Sequence, residues 1–175
     1  MTGAGEATGP ADLVVRAART RDVRAIRRLV DLYADDRRLL SKATVTLYED
    51  VPDFVVATLA GEVVGCGALH VLWEDLAEVR TVAVDPSHRR QGIGHAVLGR
   101  LIERADDLGV GRLFCLTFET GFFGRHGFVE IQGSPVSHEV FEQLLQSYDE
   151  GVAEFLDLER VKPNTLGNHR MLRRL

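Results

Sequence analysis

The chain is short of several things, and each shortage removes a class of function. It carries two cysteines in 175 residues, Cys66 and Cys115, and no Cys-x-x-Cys. Each sits in an apolar, strand-like run, so both are expected to pack as small apolar groups in a reduced, cytoplasmic compartment. No stretch approaches the roughly 18 consecutive apolar residues of a membrane span. The first ten residues are rich in Gly, Ala and Thr and lack the apolar core of a signal peptide, so residues 1–10 are expected to form a disordered tail. Positive charge is not in excess: the net charge is −5, which gives no basis for a nucleic-acid partner. His70, His88, His95, His138 and His169 show no metal-ligand spacing, and no metal is expected.

What remains is an ordinary globular composition, 45% hydrophobic and 27% charged. The length fits one domain over residues 11–175, large enough to bury a core. Val14 to Ala18 reads as a strand, and Thr20 as the cap of a helix with the apolar stripe Val23, Ile26, Leu29 and Val30. An irregular stretch from Tyr33 to Ser41 precedes a short helix over Val45 to Val51. Phe54 to Leu59 and Glu62 to Val71 form a hairpin across Ala60-Gly61. Ala77 to Val84 is a strand, Ala96 to Leu108 a helix, Leu113 to Thr117 a buried strand and Thr120 to His126 a short helix. Phe128 to Ile131, a helix around Ser137 to Ser147, and Ala153 to Leu158 complete the regular elements. The basic tail from Lys162 to Leu175 carries no readable pattern. Strands first, then strands alternating with helices, argue for a mixed α/β sheet.

One segment carries chemistry: Arg89-Arg90-Gln91-Gly92-Ile93-Gly94-His95. It joins the strand ended by Asp85-Pro86 to a helix whose inner face is Ile93, Val97, Leu98, Leu101, Ile102 and Ala105. First-turn amides of a helix lack intrahelical partners, and the helix dipole adds positive potential there. Gly92 and Gly94 have no β-carbon, so a pyrophosphate can approach those amides, with Arg89 and Arg90 at the rim. The dinucleotide fingerprint Gly-x-Gly-x-x-Gly and a Gly-Lys-Ser/Thr loop are both missing. The pattern is Arg-x-x-Gly-x-Gly.

That pattern resembles the pyrophosphate loop of the GNAT superfamily of acetyl-CoA-dependent N-acetyltransferases, and the likeness runs from about Leu13 to Phe128. It implies an α/β fold with a central, mostly antiparallel sheet splayed between two parallel strands and flanked by helices. It implies acetyl-CoA as co-substrate, with the pantetheine arm between Ala77–Val84 and Leu113–Thr117. Val82, Ala83 and Val84 would line the arm, the Val82 amide would face the thioester oxygen, and the amides from Gln91 to His95 would hold the pyrophosphate.

Transfer to an amine needs a base and stabilisation of the oxygen that gains charge. Glu78 lies four residues before Val82, the register in which some relatives carry a catalytic Glu. The alternatives are a solvent-exposed strand-end Glu, or one paired with Arg80. Many relatives have Tyr as general acid in Phe-Tyr-x-x-x-Gly-Phe, whereas this chain reads Phe122-Phe123-Gly124-Arg125-His126-Gly127-Phe128. Phe123 cannot donate a proton. A thiolate (thiol pKa about 8.5) leaves readily without an acid, and His126 and Tyr148 are candidate substitutes.

Within the superfamily the chain is most similar to the acetyltransferase domain of N-acetylglutamate synthases. The stretches Leu39-Leu40-Ser41-Lys42, Val64-Gly65-Cys66-Gly67-Ala68-Leu69, Ala77 to Pro86 and Phe122 to Phe128 carry the likeness. It implies acetylation of the α-amine of glutamate, the first step of arginine biosynthesis. The synthases' N-terminal amino-acid-kinase-like domain has no counterpart in this sequence. Their Arg near the stretch Thr117-Phe118-Glu119-Thr120 is replaced by Glu119, which would repel a side-chain carboxylate and makes glutamine a competitor. Lys42, Arg80 and Arg170 are candidates for the substrate carboxylate. Relatives pair late strands between subunits, so a homodimer is expected. Acetylation of another amine, on a small molecule or a protein lysine, and a non-catalytic acetyl-CoA sensor are the alternatives.

Overall fold

The computed structural model describes residues 9–34, 42–161 and 167–175. Most of the expected N-terminal tail, the irregular stretch before Lys42 and part of the basic C-terminal segment lie outside these. The elements form a seven-stranded mixed sheet in the order β1-β2-β3-β4-β5-β7-β6, with helices between strands. The chain divides into two compact units, one of Met1–Leu69 with Thr81–Arg104, the other of His70–Arg80 with Ala105–Leu175.

In the first unit, β1 (Val14–Ala17) turns into α1 (Val23–Ala34). The capping residue is not the expected Thr20, which opens a 3-10 turn over Thr20–Asp22. The N-cap is Arg19, and Asp22 closes the capping box: its Oδ2 accepts from the Arg19 amide at 2.7 Å, and its carboxylate takes two bonds from Arg16 of β1. Val23, Ile26, Leu29 and Val30 of α1 are all buried, as their spacing predicts. They share a core with Leu47 of α2 (Thr44–Glu49), Phe54 and Val56 of β2 (Phe54–Leu59), and Val63 and Cys66 of β3 (Glu62–Trp73). Burial of each large side chain is worth about 1.5–3 kcal/mol. β2 and β3 pair antiparallel across Ala60 (φ 48°) and Gly61 (φ 82°), the two left-handed residues a tight hairpin turn requires.

The run Gly65-Cys66-Gly67 on β3 has a packing cause. A Cβ on Gly65 would come within 2.8 Å of the Ile93 side chain, and one on Gly67 within 2.8 Å of Val97 and 3.0 Å of Leu101. The absent β-carbons let α3 (Ile93–Asp107) lie directly on the strand. Cys66, between the two glycines in sequence, is fully buried in the core shared with α1, and burial pushes its thiol up to about 12, so it stays protonated.

In the second unit, β4 (Leu76–Val84) pairs parallel with β5 (Arg112–Thr117) over Leu76–Glu78 and Arg112–Phe114. β5 pairs antiparallel with β7 (His169–Arg174) along its whole length, and β6 (Val129–Glu130) pairs with β7. The basic tail therefore contains an interior strand that the sequence reading did not find. α4 (Thr120–Gly124), α5 (His138–Leu144) and α6 (Glu150–Phe155) follow β5. Leu144, Val152, Phe155 and Leu156 pack with Phe114 and Leu172, and the Phe114 and Phe155 rings meet edge to face at 4.8 Å. Among the described residues no helix is long and apolar enough to cross a membrane, and no group of three or more His, Cys, Asp or Glu could hold a metal.

Candidate active site

Each unit holds one part of the predicted machinery. In the first, the exit from β4 is fixed on three sides. The Asp85 amide donates to Val64 at 2.8 Å. The Asp85 carboxylate accepts from Arg28 of α1 at 2.8 Å and from the Ser87 amide and hydroxyl at 3.0 and 2.7 Å. The Arg28 and Ser87 hydrogen bonds hold that carboxyl well below the usual carboxylate range. Tyr33 donates its hydroxyl to the Val84 carbonyl at 2.5 Å.

The loop then reaches α3 through two left-handed residues, Arg90 at φ 61° and Gly92 at φ 76°. Gly92 takes that conformation without steric cost, whereas Arg90 is strained there by about 1–3 kcal/mol. The Ala96 amide bonds to the Gly92 carbonyl at 3.0 Å, which opens the helix, and Ile93 is buried beneath it. Helix geometry places the amides of Ile93, Gly94 and His95 in the first turn, at the positive end of a 15-residue helix. These donors, with Arg89 and Arg90 beside them, fit a diphosphate. The Arg89 guanidinium lies 6.0 Å from the Tyr33 ring.

In the second unit, Glu78 is neither exposed nor at a strand end. It is 4% exposed, with Oε2 accepting from Arg80 Nε at 2.8 Å. Arg80 is itself 8% exposed, and its Nη2 lies 2.8 Å from Asp149 Oδ1. The contact is an ion pair, and Nη2 makes no hydrogen bond of acceptable geometry among the described residues. Burial alone would lower the Arg80 pKa, but the Glu78 and Asp149 carboxylates outweigh it and the net shift is upward. Burial would likewise raise Asp149, but Arg80 holds it below its ordinary value. Cys115 is pushed up, by burial first and by Glu78 second. Immediately beyond Arg80, Thr81 has φ 55° in mid-strand. A β-branched residue seldom adopts that conformation, and here it re-aims the backbone leading to Val82.

The other candidates occupy different settings. Lys42 Nζ pairs with Asp50 at 3.3 Å in the first unit. The Arg170 guanidinium, in the second, is spread over protein oxygens. Nε donates to Gly133 at 2.8 Å, Nη1 to Glu154 at 3.2 Å and Nη2 to Phe155, while the group stacks 4.9 Å from the Phe114 ring. Phe123 is buried in an aromatic cluster, 5.2 Å from both Phe122 and Phe128. The His126 ring lies 5.5 Å from that of Phe122, and Tyr148 is 99% exposed. Glu119 is exposed, its amide bonded to Thr117 Oγ1 at 2.8 Å.

The sequence profile of the Acetyltransferase (GNAT) family matches residues 20–128. The chain belongs to that family. It is 63% identical over 162 residues to an amino-acid acetyltransferase of Mycobacterium tuberculosis, covering 91% of this chain and 92% of that protein. It is 37% identical over 122 residues to an uncharacterised N-acetyltransferase of Chlorobaculum tepidum, covering 70% of this chain and 79% of that one. The crystal structure of Rv2747 from Mycobacterium tuberculosis in complex with CoA and NLQ superposes with a TM-score of 0.90 at 62% identity, covering 93% of this chain and 99% of that one. N-acetylglutamate synthase from Neisseria gonorrhoeae shares the fold, with a TM-score of 0.74 at 24% identity over 95% of this chain and 36% of that chain.

As a GNAT acetyltransferase, the chain has site neighbours that its sequence did not disclose. Tyr33 and Arg28 brace the end of β4 from α1, and Asp149 faces Arg80 from a turn far along the chain. An Asp followed by an acidic first turn was readable as a helix cap, and Asp149 does accept from the Val152 amide at 2.9 Å. Its second partner, Arg80, leaves no local trace.

Proposed function

We propose that this acetyltransferase moves the acetyl group of acetyl-CoA to the α-amine of glutamate or glutamine, the first step of arginine biosynthesis, by direct attack on the thioester. The observation that carries the chemistry is Glu78, a buried carboxylate held by Arg80 on the strand that leads to Val82. The amino-acid substrate is supported by the extent of identity to the mycobacterial amino-acid acetyltransferase. Glu78 takes the amine proton, directly or through water. The Val82 amide donates to the oxygen that gains charge. The loop from Arg89 to His95 holds the diphosphate, and Val82 to Val84 line the arm. Lys42 is the side chain proposed to meet the substrate carboxylate, whereas Arg80, nearly sealed from solvent and paired to Glu78 and Asp149, is proposed to hold the base. The commitment of Arg170 to main-chain oxygens of α6 favours a structural role for it. No acid is assigned to the departing thiolate, because Phe123 is apolar and thiolate is a competent leaving group.

Thiol release from acetyl-CoA, followed with glutamate and glutamine in parallel, tests the reading. Turnover on either supports it, and the ratio of kcat/KM shows whether Glu119 turns the preference toward the amide. Silence on both, with turnover on a polyamine or a lysine peptide, transfers the chemistry to a different amine. Tight acetyl-CoA binding with no turnover on any amine makes the chain a sensor.

A further inference from the structure

Asp149 does two things with one oxygen. Its Oδ1 accepts from the Val152 amide at 2.9 Å, capping α6, and lies 2.8 Å from Arg80 Nη2. Arg80 in turn reaches Glu78 through Nε at 2.8 Å. The three form a chain from α6 to β4, Asp149 to Arg80 to Glu78, with Arg80 and Glu78 both nearly sealed from solvent. Gly151 completes it. A Cβ there would fall within 2.7 Å of Arg80 Nε and 2.5 Å of Nη2, so the guanidinium lies against the first turn of α6 where any other residue would displace it.

This arrangement runs against the helix dipole, because a cation at a helix N-terminus is disfavoured. The Asp149 carboxylate offsets this, because one oxygen meets both the Val152 amide and Arg80 Nη2. Arg80 thus has its plane set by Gly151 and one end set by Asp149, which leaves its Nε aimed at Glu78. Neighbouring charges come from other strands. His70 on β3 acts on Asp149, Cys115 on β5 feels Glu78, and Arg170 on β7 feels both Glu78 and Asp157. Arg80 is the cation seen in direct contact with Glu78 among the described residues, at 2.8 Å.

We infer that Asp149 is a positioning residue for the reaction: acting through Arg80, it orients Glu78 so that the carboxylate oxygen not bonded to Arg80 faces the amine. The inference rests on Glu78 as the base. It touches no substrate and concerns only where that carboxylate points. Loss of alignment at a catalytic base is costly, since a displacement of about 1 Å can lower the rate about 100-fold.

The test is a double-mutant cycle of Asp149→Asn and Glu78→Gln at saturating acetyl-CoA. Asn keeps the cap, because it serves at N-caps as well as Asp, and removes only the charge that faces Arg80. The expected result is a fall in kcat of about tenfold or more for Asp149→Asn with an unchanged KM for acetyl-CoA, in a variant that stays folded at the assay temperature although its thermal midpoint falls with loss of the charge facing Arg80. The double variant should be no slower than Glu78→Gln alone, since a misaligned base that is already lost costs nothing further. Wild-type kcat for Asp149→Asn beside a slow Glu78→Gln overturns the inference and leaves Glu78 as the base. Full additivity of the two losses also overturns it, by placing Asp149's effect elsewhere. Wild-type kcat for Glu78→Gln overturns the base assignment and this inference with it.

Discussion

At the scale of single residues, two side chains show how charge and space decide what the fold tolerates. Asp22 is buried, and the Arg16 hydrogen bond holds its carboxyl below the ordinary value against the opposing effect of burial. A carboxyl lowered on folding contributes stability above its unfolded pKa of about 3.9, and that contribution is lost as pH falls through the folded value. Thermal midpoints measured from neutral pH downward should therefore drop more steeply for the native chain than for Asp22→Asn, the two converging in acid. Parallel curves would show that Asp22 does not carry the linkage. Gly151 is the second case. Ala is the better helix former by about 1 kcal/mol, yet its Cβ would meet the buried Arg80 guanidinium, and overpacking costs about 1–3 kcal/mol. The clash should win, with Gly151→Ala lowering both the thermal midpoint and kcat. A more stable, fully active variant would show that Arg80 has room to move.

At the scale of elements, the Gly65-Cys66-Gly67 run shows how packing on one strand reaches the loop proposed to hold the diphosphate. α3 begins at Ile93, directly after the loop, and Ile93, Val97 and Leu101 rest where two β-carbons are missing. Gly67→Ala should lift α3, cost about 1–3 kcal/mol of stability and weaken acetyl-CoA binding in calorimetry, because the amides at the helix start move with it. Wild-type affinity would mean that the loop is placed independently of the strand. The strands and helices before Leu116 were largely legible because their apolar residues follow one period, as in α1 and the β2–β3 hairpin. β7 was not legible. Met171 and Leu172 are adjacent and both buried, and Arg170 turns its charge onto carbonyls of the protein, so neither alternation nor polarity marks the strand. Its partner β5 lies far away in sequence, and pairing of that kind leaves no local signal. For the same reason the sequence indicated Arg80 beside Glu78, two residues apart, and missed Asp149.

At the scale of the whole molecule, the chain is a GNAT acetyltransferase with a seven-stranded mixed sheet whose β4 carries both Glu78 and the Val82–Val84 segment. One strand thus supplies a buried carboxylate, a kink at Thr81 and the backbone that leads to the cofactor loop. The departures from the family pattern leave this strand intact: Phe123 cannot donate a proton and Glu119 alters charge after β5, but neither lies on the strand of Glu78, the proposed base. Chemistry should therefore depend on Glu78 far more than on any acid. The most direct measurement is steady-state thiol release by Glu78→Gln at saturating acetyl-CoA, with the amino acid the native chain prefers. Glu78 as the base predicts a kcat lower by about 100-fold or more, with acetyl-CoA affinity retained. A kcat equal to that of the native chain would contradict it.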